Sequence, residues 1–148
     1  ELEMAVDAEV VRAIQLPLNV ATRDFTESDF REAQSAGKKI YARSIFLQGV
    51  LTAAPAHLPP AVVGLQGFVR EFQLLAKKWE MSPAQAAIAF VKSQEGLSGI
   101  VVGANSAANV IEISDAFSAC VEPAFIEECR NLVRPNASIT DPRNWSNR

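Results

Sequence analysis

Three short strand-like runs, at residues 11–16, 39–44 and 98–102, are separated by long stretches with helical periodicity, and no Asn-Gly or Asp-Gly turn joins any two of them. This alternation constrains the fold more than any other feature. Strands linked through helices instead of hairpins run parallel, and right-handed crossovers lay the helices over the sheet. A parallel α/β architecture is therefore expected, either as an open sheet or as part of a barrel. Periodicity does not choose between the two.

The first run lies in an apolar stretch of Val10, Val11, Ala13, Ile14 and Leu16 that stops at Pro17, and reads as a strand from Val11 to Leu16. A nearly continuous apolar run of this kind suits a strand covered on both faces. Thr26 can cap a helix whose first turn carries Glu27 and Asp29, with Phe30 and Ala33 on one face and Gly37 just past its end. The second strand, 39–44, follows. Residues 52–60 hold three prolines and read as a loop. Leu65, Phe68, Phe72, Leu75, Ala76 and Trp79 then recur at spacings of three and four, the mark of an amphipathic helix. Ser82-Pro83-Ala84-Gln85 is a capping box with proline at the first helical position, opening a helix that runs toward Gln94. After the third strand, Asn105 or Ser106 can cap a helix with Val110, Ile111, Ser114 and Phe117 as its inner side. Pro123 opens a last helix to about residue 133, and 134–148 reads as a C-terminal tail of the same single domain.

At 148 residues the chain is long enough for one sizeable core, but a complete (β/α)₈ barrel runs to about 250. It opens at Glu1, and its first ten residues read as an element already under way, as expected of a piece of a longer chain. With 49% hydrophobic and 21% charged residues it is ordinary for a globular protein. A net charge of −3 supplies no general attraction to nucleic acid or to an anionic membrane, so neither is expected as a partner. Cys120 and Cys129 fit no metal-ligand or redox spacing, and His57 has no ligand partner nearby in sequence. No apolar run reaches the ~18 residues of a membrane span and no signal-peptide pattern opens the chain, so a cytoplasmic location is the expectation.

Polar groups and glycines gather at the carboxyl ends of the three strands: residues 15–19 (QLPLN), 43–49 (RSIFLQG) and 103–112 (GANSAANVIE). Ligands of parallel α/β folds bind at that end of the sheet, so the three stretches are expected to converge on one site.

In order and spacing these stretches resemble the aldo-keto reductases over nearly the whole of residues 11–117. QLPLN is similar to the family's sixth barrel strand, and ARSIFLQGVL to the seventh strand and its loop. SPAQAAIAFV with IVVGANSAANVIEI is similar to the seventh helix, eighth strand and nucleotide loop. Arginine before the serine, and DPRNW at 141–145, point to a bacterial branch. The resemblance implies the C-terminal part of a TIM-type (β/α)₈ barrel, with about three strands and flanking helices. It also implies NAD or NADP as cofactor, the two not being resolved. Gln15 would hold the nicotinamide carboxamide, since its amide both donates and accepts. Ser44 and the backbone of Ile45 and Phe46 would cradle the pyrophosphate. Gly103 would let the chain approach the ligand closely, while Asn105, Asn109 and Glu112 would meet the adenosine at a helix N-terminus. Glu112 would accept from the adenine amino group or a ribose hydroxyl.

Three positions depart from the family pattern: Arg43 replaces an aromatic ring, Val102 a proline and Ile113 an asparagine. Arg43 can pair with phosphate or a substrate carboxylate, or with a local carboxylate. No Lys or Arg lies between Gly103 and Glu112 to hold a 2′-phosphate. The family's catalytic tyrosine, lysine, aspartate and histidine come from the first four strands, which are not in this chain. Tyr41, the only tyrosine, and His57 are expected to play local roles. The expectation is thus a cofactor-binding portion of an oxidoreductase that moves a hydride between nicotinamide and a small carbonyl or alcohol, itself inactive. A silent nucleotide sensor or interaction protein on the same fold, and a self-assembling half-barrel, are the alternatives. Open sheet edges are expected to promote association with a second copy.

Overall fold

The computed structural model describes residues 2–147. A short helix α1 (Leu2–Asp7) precedes strand β1 (Ala13–Pro17), helix α2 (Glu27–Ser35) and strand β2 (Lys39–Arg43). Helices α3 (Gln66–Lys78) and α4 (Pro83–Lys92) lead to strand β3 (Gly99–Ile100), followed by α5 (Ala107–Ser118), α6 (Pro123–Asn131) and α7 (Ala137–Thr140). The strands form one parallel sheet in the order β1-β2-β3, with Gln15 opposite Tyr41 and Tyr41 opposite Gly99.

Local chemistry accounts for the helix boundaries. Thr26 and Asp29 form a reciprocal capping box on α2, in which the Thr26 N–H and hydroxyl hold the Asp29 carboxyl below the usual carboxylate range. Ser82 and Gln85 do the same for α4. Gly37, at φ 73, takes the left-handed turn after α2 that a side chain would resist. Phe68, Val69, Phe72, Leu75 and Ala76 bury one stripe of α3, and α4 buries every residue from Ala86 to Val91. Phe30, Phe72, Phe90 and Phe125 fill the core, with Trp79 edge-on to Phe125 at 6.1 Å.

Several expectations are corrected. Strand β1 is not covered on both faces: Leu16, Ile40 and Ala42 are buried beneath the helices, whereas Ala13, Gln15, Lys39 and Arg43 are exposed and Tyr41 is half-buried. Side chains alternate across a sheet, and among the described residues only one face of this sheet is covered by helices. Strand β3 is shorter than 98–102, although Ser98 N–H and Val101 N–H still donate to Ile40 and Ala42 carbonyls at 2.7 Å. It is also not fully buried, Val101 being 44% exposed. Helix α5 turns the other way from its predicted face: Val110, Ile111 and Phe117 are exposed, while Ala116 is buried and Ile113 packs on the core. Polar ties to α4 fix that rotation. Ser82 bonds Glu112 at one end, and Lys92 donates to the Phe117 and Ala119 carbonyls at the other.

The loop at 52–60 contains a 3-10 turn, Pro55–His57, and a second one, Pro60–Leu65, leads into α3. The stretch read as a tail forms α7 and a 3-10 turn, Pro142–Asn147, that fold back on residues 60–65; Trp145 Nε1 donates to the Ile139 carbonyl. Asp141 and Arg143 of DPRNW pair with each other. Arg23 donates to the carbonyls of Cys129, Arg130 and Leu132, closing the end of α6.

Candidate functional site

The segment after β2 is backbone that side chains rarely adopt. Ser44, Leu47 and Gln48 have φ of 56, 47 and 53, and Gly49 follows at 88. Each left-handed residue with a side chain costs on the order of 1 kcal/mol or more, so the surroundings must enforce the shape. They do so through apolar anchors and turned-in carbonyls. Ile45, Leu47 and Leu51 are buried, Leu47 N–H donates to the Ser44 carbonyl, and Gly49 and Leu51 N–H groups both donate to that of Phe46.

Asn19, completely buried at the end of the first strand's loop, braces this segment. Its Nδ2 donates to the Ser44 carbonyl at 3.1 Å, while its Oδ1 accepts from the N–H groups of Ala21 and Thr22, both at 2.9 Å. The N–H groups of Ile45 and Phe46 are left with no acceptor among the described residues. Such unsatisfied N–H groups beside left-handed residues make an anion-binding concavity.

The N-terminus of α4 opens on the same space, and Asn105, Asn109 and Glu112 border it around the start of α5. At α4, Ser82 is the cap and Pro83 the first helical residue. At α5, Ser106 is the cap, and its hydroxyl accepts from Asn109 N–H at 3.2 Å and donates to Asn109 Oδ1 at 2.7 Å. Of the two predicted caps, Ser106 thus serves and Asn105 does not. A cleft of about 770 Å³ lies between the β2 loop and these helix ends. Ser44, Ile45, Phe46, Gly103, Asn105, Asn109 and Glu112 all line it. A methyl group added at Gly103 would meet no atom of the chain within 4 Å, so the fold itself does not demand glycine there.

Gln15 and Arg43 do not line the cleft. Gln15 is exposed on the uncovered face of the sheet, in register with Tyr41. Arg43 is exposed on that face too, and its guanidinium donates to Ser44 Oγ at 3.2 Å; no carboxylate pairs with it among the described residues. Tyr41 lays its ring against Gly99, where a Cβ would come within 3.2 Å of two ring carbons. His57 is exposed.

Sequence reasoning missed Ser82, Pro83, Ala84 and Thr52 as lining residues. Ser82 was legible as a helix cap, but its second role was not: its hydroxyl reaches Glu112 Oε1 at 3.1 Å across two helices. Ile113, where the family has asparagine, packs on the core and lines the cleft with a hydrocarbon surface. No group of metal-ligating side chains occurs among the described residues, and no helix there is long and apolar enough to cross a membrane.

The model of the Aldo/keto reductase family matches residues 5–134. Among solved structures, the holo and apo forms of an aldo-keto reductase from Bacillus halodurans align with TM-score 0.67 and 16% identity over 92% of this chain, and over 48% and 49% of theirs. At that identity the likeness speaks to the fold: three parallel strands and flanking helices of a partial TIM-type barrel. The chain spans about half the length of the structures it matches. No curated protein matches the sequence.

Proposed function

This chain belongs to the aldo/keto reductase family, and from that premise we propose that its cleft takes the adenosine diphosphate part of a nicotinamide dinucleotide. The observation that carries the reading is the convergence of three kinds of donor on one space. The Ile45 and Phe46 N–H groups, the Ser44 hydroxyl and the N-terminus of α4 all meet there, with Asn109 and Glu112 of α5 beside them. Phosphate oxygens need donors and helix N-termini favour them; adenosine offers an amino group and hydroxyls to a carboxylate and an amide. The residues present therefore fit this part of the cofactor.

Gln15, on the uncovered sheet face, is the group we assign to the carboxamide, and Arg43 to a phosphate, for which its planar fork suits it. When bound, the nicotinamide exchanges a hydride with a small carbonyl or alcohol. This chain's part is to bind and orient. It holds one tyrosine, and no lysine, aspartate or histidine is bonded to Tyr41 among the described residues. Turnover is accordingly a property of the longer protein.

Calorimetric titration with ADP-ribose tests the cleft. Saturable binding is expected, and Gly103→Trp should abolish it with little change in melting temperature, because Gly103 lines the cleft and a Cβ there would meet nothing within 4 Å. Absence of binding at millimolar ADP-ribose would refute the assignment. Reduction of an aldehyde panel with NADH or NADPH by the full-length protein separates an enzyme from a silent nucleotide sensor.

A further inference from the structure

We infer that the dinucleotide accepted by this cleft is the one without a 2′-phosphate, and that Glu112, positioned by Ser82, enforces the choice; the inference rests on the nucleotide reading above. A 2′-phosphate brings close to two negative charges at neutral pH and needs a cation to receive it, whereas a free ribose hydroxyl is best held by a carboxylate. The cleft meets the second requirement and not the first. Glu112 is the only lining residue that ionises. No lysine or arginine occurs between Lys92 and Arg130, a stretch that contains all of β3 and α5 and carries Glu95, Glu112, Asp115, Glu122, Glu127 and Glu128. Residues 44–69, which contain the whole β2 loop, also lack both.

Neither neighbouring cation is placed to receive a 2′-phosphate: Lys92 is held by backbone carbonyls, and Arg43 is the group assigned above to a phosphate. Lys92 Nζ is spent on the Phe117 and Ala119 carbonyls at 2.6 and 2.8 Å, at the C-terminal end of α5. Arg43 adjoins the cleft only through Ser44 Oγ, at the end of β2.

The carboxylate itself is oriented. Ser82 Oγ accepts from Gln85 N–H at 3.1 Å, which turns its own proton toward Glu112 Oε1, also at 3.1 Å. Glu112 Oε2 keeps no partner among the described residues and is available to a ribose hydroxyl or the adenine amino group.

The test is a calorimetric titration of the purified protein with ADP-ribose and with 2′-phospho-ADP-ribose, at low and at high salt. Binding of ADP-ribose at least tenfold tighter is expected, with the gap narrowing as salt screens the repulsion. Glu112→Gln should shrink the gap, chiefly through tighter binding of the 2′-phosphorylated ligand, and Glu112→Lys should reverse it. Glu112→Gln keeps an acceptor for Ser82 and should melt close to the wild type, whereas Glu112→Lys, which sets a cation beside the α4 N-terminus, should melt slightly lower, so the ratio of the two affinities is the readout. Equal or tighter binding of 2′-phospho-ADP-ribose by the wild type, or a ratio unmoved by salt and by both variants, would overturn the inference while leaving the cleft as a nucleotide site. Failure of both ligands to bind overturns the cleft reading and this inference with it.

Discussion

Replacing Asn19 by alanine should destabilise the protein by about 3 kcal/mol, because one fully buried amide ties two loops together. Its oxygen accepts from Ala21 and Thr22 N–H groups and its nitrogen donates to the Ser44 carbonyl. Two of those partners retain an alternative: Thr22 N–H also donates to the Asn19 carbonyl, and the Ser44 carbonyl also accepts from Leu47. Ala21 N–H does not, and a buried donor left without an acceptor costs about 1–3 kcal/mol. The two weakened partners add roughly 0.5 kcal/mol each, the low end for a hydrogen bond. For a domain of this size the total corresponds to a fall in melting temperature of about 9 °C. Urea unfolding followed by circular dichroism gives the free energy, and an unchanged m-value assigns the loss to the folded state. Because the brace also holds Ser44 at φ 56, affinity for ADP-ribose should drop in the same variant. A loss below about 1 kcal/mol would show that the loops do not depend on this amide and would refute the reasoning.

Gly96→Ala should cost about 2 kcal/mol or more, since φ is 90 and the new methyl would lie 2.7 Å from Cβ of the fully buried Phe30. Gly67→Ala, exposed within α3 with nothing within 4 Å, should instead stabilise by roughly 0.5–1 kcal/mol, and equal melting shifts for the two variants would contradict the steric account. Burial pushes the Cys129 thiol up from 9.0 to about 12, with Arg23 opposing in part. Its folded-state pKa lies above the unfolded one, so its contribution is fully present below pH 9 and is lost as pH rises toward 12. Wild-type melting measured against Cys129→Ala should decline across that window. At pH 8 a thiol reagent should modify exposed Cys120 alone until the protein is unfolded. Strands β1 and β3 each pair on one side only among the described residues, which should drive association with a second copy. Light scattering at rising concentration checks this, and a monomer throughout would count against it.

Local signals in the sequence were sufficient for much of the fold. The boxes at Thr26 and Ser82 mark helix starts because their hydrogen bonds close within a few residues. The Leu65–Trp79 stripe and the parallel order of the strands follow from spacing alone. The faces of β1 and α5 were misread for a shared reason. Val110, Ile111 and Phe117 make as good an apolar stripe as Ile113 and Ala116, and which stripe is buried depends on what stands opposite.

The site divides the same way. Family-like motifs at the strand ends mark Ser44, Gly103 and Glu112 as candidate ligand groups, because residue type and spacing specify turns, caps and strand ends. Only the tertiary structure decided that the residue 44–46 loop, Asn109 and Glu112 share one cleft while Gln15 and Arg43 lie on the sheet's uncovered face. Only it joined Ser82 to Glu112, thirty residues apart, and Asn19 to Ser44, twenty-five apart. Sequence periodicity describes each element about its own axis; contacts between elements depend on how two axes are set against each other, and that is decided when the core packs.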